Sequence, residues 1–233
     1  MRRRFNWQIT IARIIFGSLL GFAQVSSFAA DIVVDTGHTA ARPGATAANG
    51  RVEYLYNRDI SAAVSQNLTS AGYQVLQVAA DGKEIALSER STQAPEAKLF
   101  VSIHHDSMPQ AWIDSGRNRE LSGFSVFVSH KNPFYERSLN CAEQISKQLM
   151  VIGEKPSLYH ATPIAGENRP LINKQLGIHQ FDDLVVLKTA PIPAVLVEIG
   201  VIVNPEEAVR LNKPETIRQI SQAISKGVQA CKP

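Results

Sequence analysis

Cysteine is scarce in this chain of 233 residues, which narrows the classes of protein to consider. Only Cys141 and Cys231 occur, and their wide separation excludes a CxxC redox motif. Neither cysteine stands directly after the N-terminal apolar stretch, so a lipid anchor attached to a cysteine is not indicated. Two alternatives remain for the pair: a disulfide that fixes the C-terminal helix, or two unreactive thiols.

An excess of basic charge is also missing once the N-terminal segment is set aside. Residues 1–30 supply four of the 24 Lys and Arg and no acid, which leaves 20 basic residues against 21 Asp and Glu. Proteins that bind nucleic acid rely on a basic surface, so nucleic acid is not an expected partner. No polybasic tail remains that would attract a membrane surface.

Long apolar runs are absent as well, and the longest one near the N-terminus reads as a targeting signal. Four arginines precede the apolar residues 14–22, a stretch much shorter than the roughly 20 residues that span a bilayer. Ser27-Phe28-Ala29 then offers small residues for a signal peptidase. We predict a signal peptide at 1–29, a single domain at 30–233, and no stable membrane anchor. The expected location is the periplasm, with secretion or cell-wall association as alternatives.

Apolar strand-like runs alternate with helical patterns along the remaining chain. The predicted strands are 32–34, 73–78, 99–103, 124–128, 184–187 and 194–197, and the predicted helices are 53–71, 88–96, 134–150 and two after Pro205 and Pro214. This alternation predicts an α/β domain with a mostly parallel twisted sheet and helices on both faces. The polar segments 107–122 and 153–182 are predicted to be surface loops.

Acids and histidines stand at the ends of several of these runs. The segments are Asp35-Thr36-Gly37-His38, Glu53, Ser102-Ile103-His104 and Val197-Glu198-Ile199-Gly200. Ligands of parallel sheets gather at the carboxyl ends of the strands, so these side chains should meet at one edge. Two His and one Glu form a ligand set that catalytic zinc uses, and a further carboxylate can take a proton from water. The pattern predicts metal-assisted amide hydrolysis.

The other histidines need separate predictions. Neighbouring residues of a strand point to opposite faces, so His104 is the predicted ligand and His105 a rim residue or a support for a ligand. His130, His160 and His179 lie in polar surroundings and are predicted to be solvated surface residues. Glu198 interrupts an apolar run, where an unpaired buried carboxylate is costly, which favours a role in a site.

These motifs, taken in order, resemble the zinc-dependent N-acetylmuramoyl-L-alanine amidases that trim bacterial peptidoglycan. The resemblance extends from residue 32 to about residue 211. It includes the Asp-x-Gly-His opening, Asn49-Gly50 followed by Glu53 and Asn57, the Ser-Ile-His segment, and the block at 193–198 that leads to Asn204-Pro205. The resemblance implies that His38, Glu53 and His104 bind zinc and that Glu198 is the catalytic glutamate.

The resemblance also implies minor roles and exposes departures. Asp35 and Asp106 match acids close to the ligands, which could orient a ligand or meet substrate, and Arg90 matches an arginine of structural or functional importance. The family usually has Pro and two glycines around the first histidine, whereas in this chain Thr36 precedes Gly37 and Thr39-Ala40 follow His38. Such changes bear on substrate fit more than on the type of reaction.

The expected activity is hydrolysis of the amide bond between N-acetylmuramic acid and L-alanine, with zinc as cofactor and peptidoglycan or muropeptides as partners. Two alternatives remain open: a zinc peptidase acting on cell-wall peptides, and a catalytically silent peptidoglycan-binding relative. The HExxH motif of many zinc peptidases is absent. The sequence leaves open whether a protein activator is needed and whether 153–182, which carries Glu167, covers the site.

Overall fold

A seven-stranded sheet forms the centre of the computed structural model, which describes residues 29–233. Its strands are β1 (Ile32–Thr36), β2 (Val75–Val78), β3 (Leu99–Asp106), β4 (Ser125–Val128), β5 (Leu171–Asn173), β6 (Ile178–Gln180) and β7 (Ala194–Val201). They lie in the order β2-β1-β3-β7-β4-β6-β5. Four of the six pairings are parallel, and β4–β7 and β5–β6 are antiparallel. The predicted mostly parallel α/β sheet is therefore confirmed, whereas the predicted signal peptide falls on residues that lie almost wholly outside the described range.

Helices lie on both faces of the sheet, as predicted, but the two faces differ in cover. The helices are α1 (Glu53–Ser70), α2 (Leu87–Arg90), α3 (Gln110–Asp114), α4 (Tyr135–Val151), α5 (Val185–Lys188), α6 (Pro205–Leu211) and α7 (Pro214–Cys231). The long helices α1, α4 and α7 bury one face, and the short α5, packed against α2, covers part of the other. Among residues 29–233, no helix is long and apolar enough to cross a bilayer.

The alternation of side chains along the strands decides which face carries the chemistry. In β7, Val195 and Val197 point into the large core under the long helices, whereas Leu196 belongs to the smaller core on the other face. Glu198 comes two residues after Leu196, so it lies on the thinly covered face. Strand β7 is apolar apart from Glu198, and it can therefore present this one acid to a cleft while its other face stays in the core.

Three local predictions from the sequence are wrong. Residues 184–187, predicted as a strand, begin the single helical turn α5, because a run of four apolar residues fits either structure. The helix predicted at 88–96 ends at Arg90, well before Pro95, whose ring disfavours helical backbone in the residue before it. Segments 107–122 and 153–182 are not plain loops, since they contain α3 in the first case and β5 and β6 in the second.

A disulfide joins the middle of the helical layer to the end of the chain. Cys141 of α4 and Cys231 of α7 are bonded, which decides between the two alternatives left open by the sequence. The two helices approach closely at Gly227, where an added Cβ would lie 2.5 Å from the Cα of Ile145. The disulfide holds α4 against α7, and the glycine allows their close approach. Both lie on the face of the sheet away from the acids and histidines.

Candidate metal centre

The three predicted ligands come together at the carboxyl edge of the sheet. Glu53 Oε2 lies 3.0 Å from His38 Nε2, and Glu53 Oε1 lies 3.2 Å from His104 Nδ1. One nitrogen or oxygen from each residue lies within 4.8 Å of the others. The cluster is partly open, since the side chains of His38 and His104 are 32% and 18% exposed while Glu53 is 6% exposed. Such a set can hold a metal ion and still leave room for water or substrate.

Each ligand is delivered by a different element. His38 lies in the turn after β1, His104 lies near the end of β3, and Glu53 is the first residue of α1. Gly37 allows the first two to meet, because an added Cβ there would lie 2.4 Å from His104 Nε2. Any larger residue at this position would push the imidazole of His104 out of the cluster.

Arg90 holds the turn that carries His38. The backbone of His38 is left-handed, with a φ of 68°, a conformation that residues other than glycine rarely adopt. Buried Arg90 donates from Nη2 to the carbonyl oxygen of His38 at 2.8 Å and from Nη1 to that of Thr36 at 2.8 Å. Asp35 accepts from Arg90 and from Ser102, so this acid reaches the ligand only through Arg90.

Asn57 holds Glu53 in place. The amide of Asn57 donates to Glu53 Oε1 at 3.2 Å, and its oxygen lies 2.7 Å from His105 Nδ1. His105 is thus a fully buried support behind Asn57 and not a rim residue. Burial lowers the pKa of His105 to about 3, so its ring is neutral at physiological pH.

Glu53 stays ionised in its buried position. Burial alone would raise the pKa of Glu53, but the hydrogen bonds and charges of His104 and His38 hold it below its ordinary value. An ionised carboxylate between two imidazoles is a donor set that binds a divalent metal, since each atom offers a lone pair to the same small volume.

Glu198 lies across from His104 in the register of β3 and β7. Its Oε2 is buried and has no hydrogen-bond partner among residues 29–233. Burial, together with the carboxylates of Asp106 and Glu53, raises the pKa of Glu198 well above its ordinary value. An acid whose buried oxygen has no partner within residues 29–233, beside a cluster that could hold a metal ion, fits a proton acceptor.

Asp106 contacts a histidine that the sequence analysis did not predict to lie near the site. Asp106 Oδ2 lies 2.8 Å from His160 Nε2, and His160 Nδ1 lies 2.8 Å from Glu167 Oε2. All three side chains are largely buried, so the prediction of a solvated His160 is wrong. Burial alone would lower the pKa of His160, but Asp106 and Glu167 raise it to about 10.

Of the two remaining predictions for histidines, one is wrong and one is confirmed. His179 is fully buried on β6 against the carbonyl oxygen of Ser157, so its prediction as a surface residue is also wrong. His130 is exposed, as predicted. The alternation in Ile178-His179-Gln180 was the available signal for a strand, but three residues are too few to separate it from a loop. His160 gave no local signal for the site, since its partner Asp106 is distant in sequence.

A cavity of about 590 Å³ opens beside the cluster. His38 and His104 form part of its wall, and Leu184, Val186 and Leu196 form an apolar wall deeper inside. Its volume is that of a typical small-ligand site. Together, the fold and the cluster define an α/β protein with a possible His/Glu/His metal site that opens onto a ligand-sized cavity.

Comparison with known proteins shows which family this chain resembles. A family model described as N-acetylmuramoyl-L-alanine amidase matches residues 32–230. N-acetylmuramoyl-L-alanine amidase AmiA of Escherichia coli (strain K12) is 26% identical over 222 residues, which cover 84% of this chain and 74% of AmiA.

Solved structures show the same fold. The amidase Ami1 of Mycobacterium smegmatis superposes with a TM-score of 0.70 at 22% identity, covering 86% of this chain and 95% of Ami1. The CwlD amidase of Clostridioides difficile, solved in complex with the GerS lipoprotein, has a TM-score of 0.65 at 21% identity and covers 87% of this chain and 98% of its own.

The chain belongs to the N-acetylmuramoyl-L-alanine amidase family, because the family model matches most of its length. It is a hydrolase of that class, which cleaves an amide bond in peptidoglycan. The resemblance drawn from the ordered motifs is thereby confirmed.

Proposed function

We propose that this protein is a zinc-dependent amidase in which His38, Glu53 and His104 hold one zinc ion and Glu198 transfers the proton. The observation that carries the proposal is the cluster of three donor atoms within 4.8 Å, next to an unpartnered buried carboxylate on the adjoining strand. The substrate is the bond between the lactyl group of N-acetylmuramic acid and L-alanine.

The donor atoms fit zinc in kind and in spacing. Zinc accepts two imidazole nitrogens and a carboxylate oxygen at about 2.0–2.2 Å, and ligands at that range in a tetrahedron lie about 3.3 Å apart. The distances from Glu53 involve both of its oxygens, 3.0 Å from Oε2 to His38 Nε2 and 3.2 Å from Oε1 to His104 Nδ1, and each is close to that value. When bound, zinc would supply a Lewis acid that polarises the amide carbonyl and acidifies water.

In this proposal, Glu198 transfers the proton during hydrolysis. Its free Oε2 accepts a proton from the attacking water, and the same atom returns it to the departing nitrogen of L-alanine. The C–N bond breaks, and the products are a carboxylic acid on the lactyl group and a free amine on the peptide. Asn57 and Arg90 keep Glu53 and His38 in position throughout.

Location and domain organisation extend the proposal. We infer that residues 1–29 are a signal peptide and that residues 30–233 act outside the cytoplasm, where peptidoglycan lies. The periplasm is the proposed compartment, and the bonded Cys141 and Cys231 support it, because disulfides persist in oxidising compartments. The GerS lipoprotein bound to CwlD makes an activator worth testing by adding candidate proteins to a purified enzyme assay.

Product analysis tests the proposed bond. Purified residues 30–233 are incubated with zinc and defined muropeptides, and the products are identified by mass spectrometry. The expected products are the sugar with a free lactyl carboxylate and a peptide with a new amino group on L-alanine. Release of a single C-terminal amino acid would show a carboxypeptidase instead, and intact substrate would show a silent relative.

A further inference from the structure

The cavity beside His38 and His104 has one apolar side and one charged rim. Ile85, Leu87 and Val186 line the apolar side, and Leu87 is 54% exposed. An exposed apolar wall next to a reactive centre gains stability when a ligand covers it. We therefore expect this cavity to bind a ligand that has an apolar surface.

The rim is built from Thr39, Glu84 and Arg42. The hydroxyl of buried Thr39 donates to Glu84 Oε1 at 2.6 Å and accepts from the backbone nitrogen of Arg42 at 3.1 Å. Glu84 Oε2 lies 3.6 Å from Arg42 Nε, while the Arg42 side chain is 84% exposed.

Arg42 has donors to spare at this rim. Its Nη groups have no hydrogen-bond partner within residues 29–233, whereas Glu84 fixes the Nε side of the guanidinium. A guanidinium presents N–H groups in a planar fork that matches a carboxylate. The rim is thus arranged to receive an anion that enters beside the apolar wall.

The chemistry of the substrate indicates which half enters. One side of the scissile amide is a sugar covered with hydroxyl groups, and the other is a peptide that begins with the methyl side chain of L-alanine. Methyl groups suit the wall of Leu87, Leu184 and Leu196, and the lining contains no Phe, Tyr or Trp on which a sugar ring could stack. The peptide half fits this cavity better than the sugar.

We propose that this cavity is the subsite for the stem peptide and that Arg42 selects a free carboxylate on the residue after L-alanine; this rests on the proposed amidase function. That residue is an acidic amino acid joined through its side chain, so its α-carboxylate is free unless it is amidated. It lies about 3.5 Å along the chain from L-alanine, within a cavity of this size. Arg42 touches no reacting atom and contributes to specificity alone.

Two synthetic muramyl peptides that differ only in this group test the proposal. One carries the free α-carboxylate and the other the amide, and kcat and KM are measured for wild type, Arg42→Gln and Arg42→Lys. Wild type should prefer the carboxylate by about tenfold in kcat/KM, mainly through KM, because a charged hydrogen bond contributes equally to substrate and transition state. Arg42→Gln should lose that preference, so that its kcat/KM values for the two peptides become equal, and Arg42→Lys should keep part of the preference.

Arg218→Gln is the matched control, because Arg218 is also exposed but pairs with Glu215 on α7. It should keep the preference of the wild type, and all variants should keep their zinc. Equal rates of wild type on both peptides, or a preference that survives in Arg42→Gln, would overturn the proposed subsite. Failure of wild type to cleave either peptide would overturn the amidase assignment on which the subsite depends.

Discussion

Glu53 is buried and Glu198 has one buried carboxylate oxygen near the same histidines, yet their surroundings shift their pKa values in opposite directions. The pKa of Glu53 is lowered because both of its oxygens face imidazole nitrogens. That of Glu198 is raised by burial and by neighbouring carboxylates. Two acids separated in this way can take different tasks, one as a permanent ligand and one as a proton carrier.

Substitution by glutamine separates the two tasks. Glu198→Gln removes the proton acceptor but no zinc ligand, so zinc content and folding should persist while turnover falls about a hundredfold or more. Glu53→Gln weakens a ligand, so zinc occupancy should fall together with activity. Elemental analysis and kcat on the same preparations check both. Loss of zinc in Glu198→Gln, with zinc and activity kept in Glu53→Gln, would reverse the assignment.

His160 should stabilise the fold in a manner that depends on pH. Its pKa is raised from an ordinary 6.5 to about 10 by Asp106 and Glu167, so its stabilisation is complete below pH 6.5 and is lost as the pH rises through about 10. His160→Gln should cost about 3 kcal/mol in the free energy of unfolding at pH 6 and progressively less above pH 7. Urea unfolding of both proteins from pH 6 to pH 10 measures the difference.

Lys131→Gln is the control for this measurement. Lys131 pairs with Asp183 at an exposed position, with side chains 55% and 78% exposed, so solvent screens the pair and its loss should change the free energy of unfolding little. A His160→Gln penalty that matches the Lys131→Gln value, or one that grows above pH 7, would contradict a buried charged His160.

At the scale of elements, the sequence predicts the residues of the cluster better than it predicts their surroundings. His38, Glu53, His104 and Glu198 stand near the ends of apolar strand-like runs or at a helix start, so simple strand geometry predicts that they meet. Short elements such as α5 and β6 are decided by tertiary packing that a few residues do not encode.

The clearest failure concerns segment 153–182. It is polar and rich in turn-forming residues, yet it places two buried histidines over the sheet. His160 is stabilised there by Asp106, which is distant in sequence, and by the ring of Phe127 at 4.8 Å. A contact between segments so far apart along the chain leaves no local pattern, so only the folded structure shows it.

The disulfide should stabilise the helical layer without affecting the cluster. It closes a separation of 90 residues between α4 and α7, and removing such a bridge costs about 2–5 kcal/mol. Cys141→Ala, Cys231→Ala and the double variant should lose similar amounts in urea unfolding, because each removes the same bond. Zinc content should stay unchanged. Losses that add in the double variant would show that packing, and not the bridge, stabilises this layer.

At the scale of the whole molecule, the proposed export would bring the enzyme to its substrate. The arginines, short apolar stretch and Ser27-Phe28-Ala29 predict cleavage after Ala29. Mass spectrometry of the periplasmic fraction should find a chain that begins at Ala30 and has one internal disulfide. Ala29→Leu should slow processing, because the small residue before the cleaved bond is lost. A chain that still begins at Met1 in the membrane fraction would argue against a cleaved signal.

Titration of the metal-free enzyme with zinc tests the central claim most directly. The purified residues 30–233 are stripped with a chelator, and zinc is added in steps while bound metal and hydrolysis of a muropeptide are measured on the same sample. Activity should be absent at the start, rise linearly, and reach its maximum at about one zinc per chain, since three protein ligands leave a single open tetrahedral position. His104→Ala should neither bind this zinc nor gain activity. Full activity in the stripped enzyme, or in His104→Ala, would contradict the account.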